Sequence, residues 1–92
     1  GTEIPSKYDL YQNYPNPFNP VTNIRFDIVK NNFVKLQVYD ITGKIVSTLV
    51  NDRLQAGKYV FNMDASMLPS GVYFYKIEAG DFIQTRRMIL LK

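Results

Sequence analysis

The 92-residue chain has no cysteine, no histidine and no tryptophan. Without cysteine there can be no disulfide, no thiolate metal site and no cysteine nucleophile, although the compartment stays open. Without histidine it loses the one side chain that ordinarily titrates near neutrality, and with it the commonest metal ligand. No run of eighteen apolar residues occurs, so no segment is long enough to cross a bilayer as a helix. Charge of one sign is also scarce. Eleven Lys and Arg stand against eight Asp and Glu, a net charge of +3, and they are scattered rather than massed. A nucleic-acid partner would call for a basic stripe, so none is expected. There is no initiator methionine and no signal-peptide pattern at the start. The expectation is therefore a piece taken from the end of a longer chain.

What is present suits one β-rich domain. A chain of this length buries about 60–65% of its unfolded surface, and 46% of its residues are hydrophobic. Seven tyrosines and six phenylalanines favour pleated, half-buried surfaces. The stretch from Tyr14 to Pro20 reads YPNPFNP. Pro15, Pro17 and Pro20 fix φ, remove backbone donors and push each preceding residue toward extended geometry. Asn16 and Asn19 can satisfy backbone groups locally. Phe18 is the one large apolar side chain between Pro17 and Pro20, and it is expected to pin a stiff lead-in segment to the core.

Alternation sets the rest. Residues 1–7 read as linker and 8–92 as the domain, with a short first strand within Tyr8–Tyr11. Ile24, Phe26 and Ile28 share one face of a strand over Thr22–Ile28, with Arg25 and Asp27 on the other. After the turn signal Lys30-Asn31-Asn32, the residues Val34, Leu36 and Val38 point inward from a strand over Phe33–Tyr39. Gly43 supplies positive φ to a hairpin loop over Asp40–Lys44. A strand over Ile45–Val50 gives way to a polar stretch, Asn51 to Gln55. Tyr59, Phe61 and Met63 alternate with Lys58, Val60 and Asn62. Asp64–Ser70 has room for one helical turn. Two strands over Val72–Glu78 and Phe82–Leu91 flank the tight turn at Ala79–Asp81, with Tyr73, Tyr75 and Ile77 inward. About seven short strands predict an antiparallel, immunoglobulin-like β-sandwich.

Catalytic readings find little support. Asp9, Asp27, Asp40, Asp64, Glu78 and Asp81 fall on separate strands and turns without paired spacing. A glycosidase would hold two carboxylates about 5–9 Å apart in a cleft. No calcium loop is legible. Gly43-Lys44 lacks the earlier glycine and the following Ser or Thr of a phosphate loop, since Val38 stands five residues before Gly43. No enzyme activity, metal or cofactor is expected. Tyr73-Phe74-Tyr75 admits a sugar-stacking platform, as in a carbohydrate-binding or adhesive module. Alternation favours core packing instead, with Leu68-Pro69 and Tyr73 forming a tyrosine corner. The run from Arg86 to Lys92 reads RRMILLK and is apolar between basic ends. It suits a final strand with gatekeeping cations, and it also suits an address presented to a receptor by docking or strand addition.

YPNPFNP followed by Val21–Phe26 resembles the opening of the type A C-terminal sorting domains of the type IX (Por) secretion system. The likeness continues through Val38–Val46, Ala56–Tyr59, Leu68–Ile77 and Arg87–Lys92, and so covers nearly the whole chain from Tyr11. Asn23 departs from the pattern where a second hydroxyl residue is common, and Phe61–Asp64 departs where Trp is frequent. The resemblance implies a β-sandwich and a non-catalytic export signal. Its implied partners are an N-terminal cargo in the same parent chain, an outer-membrane translocon and a sortase-like peptidase cutting upstream. It implies passage through the periplasm to the cell surface or medium. The residues it singles out for translocon recognition are Gly80, Arg86, Arg87, Met88, Ile89, Leu90, Leu91 and Lys92, most firmly Met88, Leu90, Leu91 and Lys92. Pro15, Asn16, Pro17, Phe18, Asn19 and Pro20 form the motif that opens the module.

Overall fold

A computed structural model describes residues 3–92, so Gly1 and Thr2 of the expected linker lie outside the described residues. Seven strands follow in order: β1 Asp9–Leu10, β2 Val21–Ile28, β3 Asn32–Tyr39, β4 Ile45–Leu54, β5 Gly57–Asp64, β6 Gly71–Ala79 and β7 Phe82–Leu90. They form two antiparallel sheets, β1-β2-β5 and β4-β3-β6-β7. Because β2 pairs with β5 and β3 with β6, the chain changes sheet between neighbours in sequence. The result is an immunoglobulin-like β-sandwich.

The inward faces are those that alternation predicts. Ile24, Phe26 and Ile28 of β2 meet Val34, Leu36 and Val38 of β3 and Tyr73, Tyr75 and Ile77 of β6, all 5% exposed or less. Leu10, Phe18, Met63, Met88 and Leu90 complete this core. Tyr59 and Phe61 pack against its margin, where the Tyr59 ring stacks on Phe26 with centroids 5.3 Å apart. The tyrosine corner is present, with the Tyr73 hydroxyl donating to the Pro69 carbonyl at 2.6 Å. Pro5, within the expected linker, is buried, so part of the lead-in already lies against the sandwich.

Three local expectations change. Asp27 lies on the outer face as expected but is buried, because the Tyr11 hydroxyl covers it and donates to its carboxylate at 2.5 Å. The polar stretch after Val50 stays in strand, since β4 continues to Leu54 opposite Asn32. Two register shifts, between Leu36 and Gln37 and between Val38 and Tyr39, absorb the extra residues of β4, as bulges do on edge strands. Asp64–Ser70 holds no helical turn. Its amide at Leu68 closes a single turn onto Ala65 at 3.0 Å.

Candidate recognition surface

The last strand runs along the edge of the four-stranded sheet, paired with β6 from Ala79↔Phe82 to Gly71↔Leu90. An edge strand leaves every second backbone N–H and C=O unpaired, and such an edge invites foreign strands. Here the YPNPFNP segment covers its C-terminal end. The Phe18 amide donates to the Ile89 carbonyl at 2.9 Å, and the Leu91 amide donates to the Phe18 carbonyl at 3.0 Å. Asn16 accepts from the Ile89 amide through Oδ1 at 3.0 Å. Gln12 Nε2 reaches the Arg87 carbonyl at 2.6 Å. The phenyl ring of Phe18, 2% exposed, turns into the core behind these bonds. The proline segment is thus a strap over the terminal strand, and not only a lead-in to β2.

A buried polar knot anchors the strap. The Tyr75 hydroxyl donates to the Tyr11 carbonyl at 2.7 Å and accepts from the Asn13 amide at 2.8 Å. Asn13, 2% exposed, donates through Nδ2 to Thr22 Oγ1 at 3.1 Å and to the Pro15 carbonyl at 3.2 Å. Thr22 in turn donates to that carbonyl at 2.8 Å. Burial pushes the Tyr75 phenol up to about 12, which keeps it protonated as a donor. Arg86, half-buried, ties β7 to β1 by donating from Nε to the Leu10 carbonyl at 2.6 Å.

The residues expected to carry recognition divide by the pleat. Met88 and Leu90 are fully buried, whereas Arg87, Leu91 and Lys92 are exposed and Ile89 half-buried. Only the second group is open to contact in the folded chain, while the first lies in the core. Lys92 is held by its amide on Ser70 Oγ at 3.0 Å and by Nζ on the Ser66 carbonyl at 2.6 Å. Gly80 stands apart. It opens the β6–β7 turn at the opposite end of the strand with φ +60°, the position where a type II′ turn requires glycine. Of the opening motif, Phe18 is buried, Pro20 half-buried, and Pro15, Asn16, Pro17 and Asn19 are exposed. Alternation missed Gln12, Asn13 and the Tyr75 hydroxyl. The available signal was a polar pair directly before a proline-rich segment.

The remaining polar groups do not converge. Asp40 accepts from the Thr42 hydroxyl at 2.6 Å and from the Thr42 and Lys44 amides at 2.8 and 3.1 Å. The Thr42 hydroxyl bond, with the Lys44 and Thr42 amides behind it, holds the Asp40 carboxyl below its ordinary value against the opposing effect of desolvation. Among the described residues no three metal-ligating side chains gather. The most exposed aromatics, Tyr14 at 79% and Phe33 at 47%, sit on the strap and at the far end of β3, so they make no shared stacking platform.

The fold defines a small immunoglobulin-like β-sandwich module whose terminal strand is strapped by its opening segment. Residues 12–91 match the family model described as the secretion system C-terminal sorting domain, and the chain belongs to that family. It is a C-terminal sorting signal of type IX secretion, which implies export to the cell surface or medium. A search of curated proteins found no match.

Proposed function

We propose that the module, residues 8–92, carries an N-terminal cargo of the same parent chain through the outer-membrane translocon. The exposed side of its last strand is what the machinery touches. A sortase-like peptidase then cuts in the linker before Tyr8, and the cargo is released or attached at the surface. Cargo and module pass through the periplasm first, and the module does no chemistry of its own. The strap over β7 supports this reading best: the chain devotes its opening motif, through Asn16 and Phe18, to holding the residues before its last lysine in one geometry. Arg87, Ile89, Leu91 and Lys92 are the groups offered. Met88 and Leu90 set their position.

The test is a reporter fused ahead of the chain in a host that exports through type IX machinery. Deleting Met88–Lys92 would also remove two core side chains, so the informative variant lacks only Leu91 and Lys92 and is first shown to be folded. Surface or medium localisation of the intact fusion, lost in that variant, is the expected result. Periplasmic retention of the intact fusion, while the host exports its own cargo, would overturn the proposal.

A further inference from the structure

The outer face of the four-stranded sheet is not uniform. At its Tyr39 end one cross-strand row runs Ile45, Tyr39, Phe74, Arg87 from β4 to β7. Ile41 stands beside it in the β3–β4 turn. Ile41 is 72% and Ile45 49% exposed, so apolar surface is left in water with nothing among the described residues to cover it. Between Tyr39, Asp40, Ile41, Gly43, Phe74, Lys76 and Thr85 lies an open concavity of about 300 Å³. Around it cations outnumber the Asp40 carboxylate. Lys76 lines it, Arg87 is the cross-strand neighbour of Phe74, and Lys44 follows Gly43 in the turn. The ion pair present among the described residues, Lys58 with Glu3 at 3.9 Å, lies on the other sheet. Asp40 itself lines the concavity, and its Oδ1 already accepts three internal hydrogen bonds.

We propose that this concavity is a docking pocket for an acidic protein segment of the secretion machinery, which inserts one apolar side chain between Tyr39, Ile41 and Phe74. Carboxylates of that segment meet Lys76, Arg87 and Lys44. This rests on the sorting reading and deepens it, because Thr85 and Arg87 belong to the terminal strand and make the pocket continuous with the surface assigned to recognition. An apolar anchor in a desolvated pocket with charges on the rim is the usual anatomy of a protein interface. A sugar ring fits less well. It needs in-plane hydrogen-bonding groups and an open aromatic face. Here Gln37 is occupied by the Tyr39 hydroxyl and Thr48 Oγ1, and the Lys76 ammonium lies 5.3 Å from the centroid of the Tyr39 ring.

The test uses the full chain fused behind a reporter in the type IX host, with four substitutions. Lys76→Glu reverses the rim charge and Phe74→Thr empties the anchor wall. Lys76→Arg keeps the charge, and Arg53→Glu makes the same reversal at the far end of the sheet. Thermal melts of each purified chain establish folding, and Lys76→Glu, which changes no core residue, remains decisive if Phe74→Thr unfolds. The expected result is export lowered on the order of ten-fold by Lys76→Glu, the size of losing one close charge pair, and unchanged by Lys76→Arg and Arg53→Glu. Export of the Lys76→Glu chain at the intact level, or an equal loss from Arg53→Glu, would overturn the pocket while leaving the sorting reading in place. Failure of the intact chain itself to be exported overturns the sorting reading, and the pocket with it. Titration of the chain with polygalacturonate checks the other occupant. Binding that Lys76→Glu abolishes would reassign the pocket to an anionic glycan.

Discussion

Tyr75 shows how much one hydroxyl can decide. It is fully buried, and its oxygen joins the Tyr11 carbonyl and the Asn13 amide, which hold the strap. Tyr75→Phe leaves both partners unpaired in the interior, with a loss of about 1–3 kcal/mol expected by chemical denaturation. The same group makes stability depend on alkali. Its folded-state value is raised to about 12 by burial, above the ordinary 10. The protonated form is therefore favoured by folding, fully so below pH 10, and the benefit fades as pH climbs toward 12. Burial also raises Tyr73, so melts across pH 9–12 should flatten in Tyr75→Phe without becoming level. Phe18 is the other decisive residue. Phe18→Ala is expected to cost about 3–5 kcal/mol and to speed hydrogen exchange at the Leu91 amide, which donates to the Phe18 carbonyl.

At the scale of elements, the two hairpin turns were legible because glycine chemistry is local. Gly43 and Gly80 both take positive φ, +87° and +60°, where sequence places them. A side chain at Gly80 would meet Asn32 Nδ2 at 2.6 Å. Gly80→Val is therefore expected to lose at least the ~1–2 kcal/mol of a left-handed backbone, measured by urea midpoint. The β3–β4 turn depends instead on Asp40. Its lowered carboxyl value means the ionised form is the stabilising one. That contribution is present above the ordinary carboxylate value and disappears as pH falls through the lowered one. Asp40→Ala should lower the Tm at neutral pH and narrow the difference from the intact chain in strong acid. The length of β4 was not legible, because Asn51-Asp52-Arg53 is polar on its own. Only pairing with Lys35, Val34 and Phe33 keeps it in strand.

For the molecule as a whole, the terminal strand proposed as the signal is also part of the core. Met88 and Leu90 each have 0% exposure, and losing two such side chains forfeits about 2–5 kcal/mol apiece. That is comparable with the entire stability of about 5–15 kcal/mol expected of a domain. A chain lacking Met88–Lys92 should therefore melt well below the intact one or show no cooperative transition by circular dichroism. The chain without Leu91 and Lys92 loses backbone bonds to Phe18 and Ser70, about 1–2 kcal/mol, and should stay folded.

By itself the sequence determined the class of fold, the number of strands, most inward faces, the turns and the family likeness. All of these follow from period-two alternation, glycine and proline chemistry, and a string of local motifs. Contact between its two most conspicuous segments was decided only in three dimensions. Phe18 and Leu90 are separated by most of the chain, and no local rule says that an asparagine side chain will accept from Ile89 or that Phe18 will bridge to Leu90. The fate of Asp27 was equally non-local, since a side chain on the outer face becomes buried only when Tyr11 crosses over it. The pocket beside Tyr39 likewise exists only because β3, β6 and β7 come together in register. Hydrogen-bond partners distant in sequence are chosen by the packing of two sheets, and that packing is a property of the assembled sandwich.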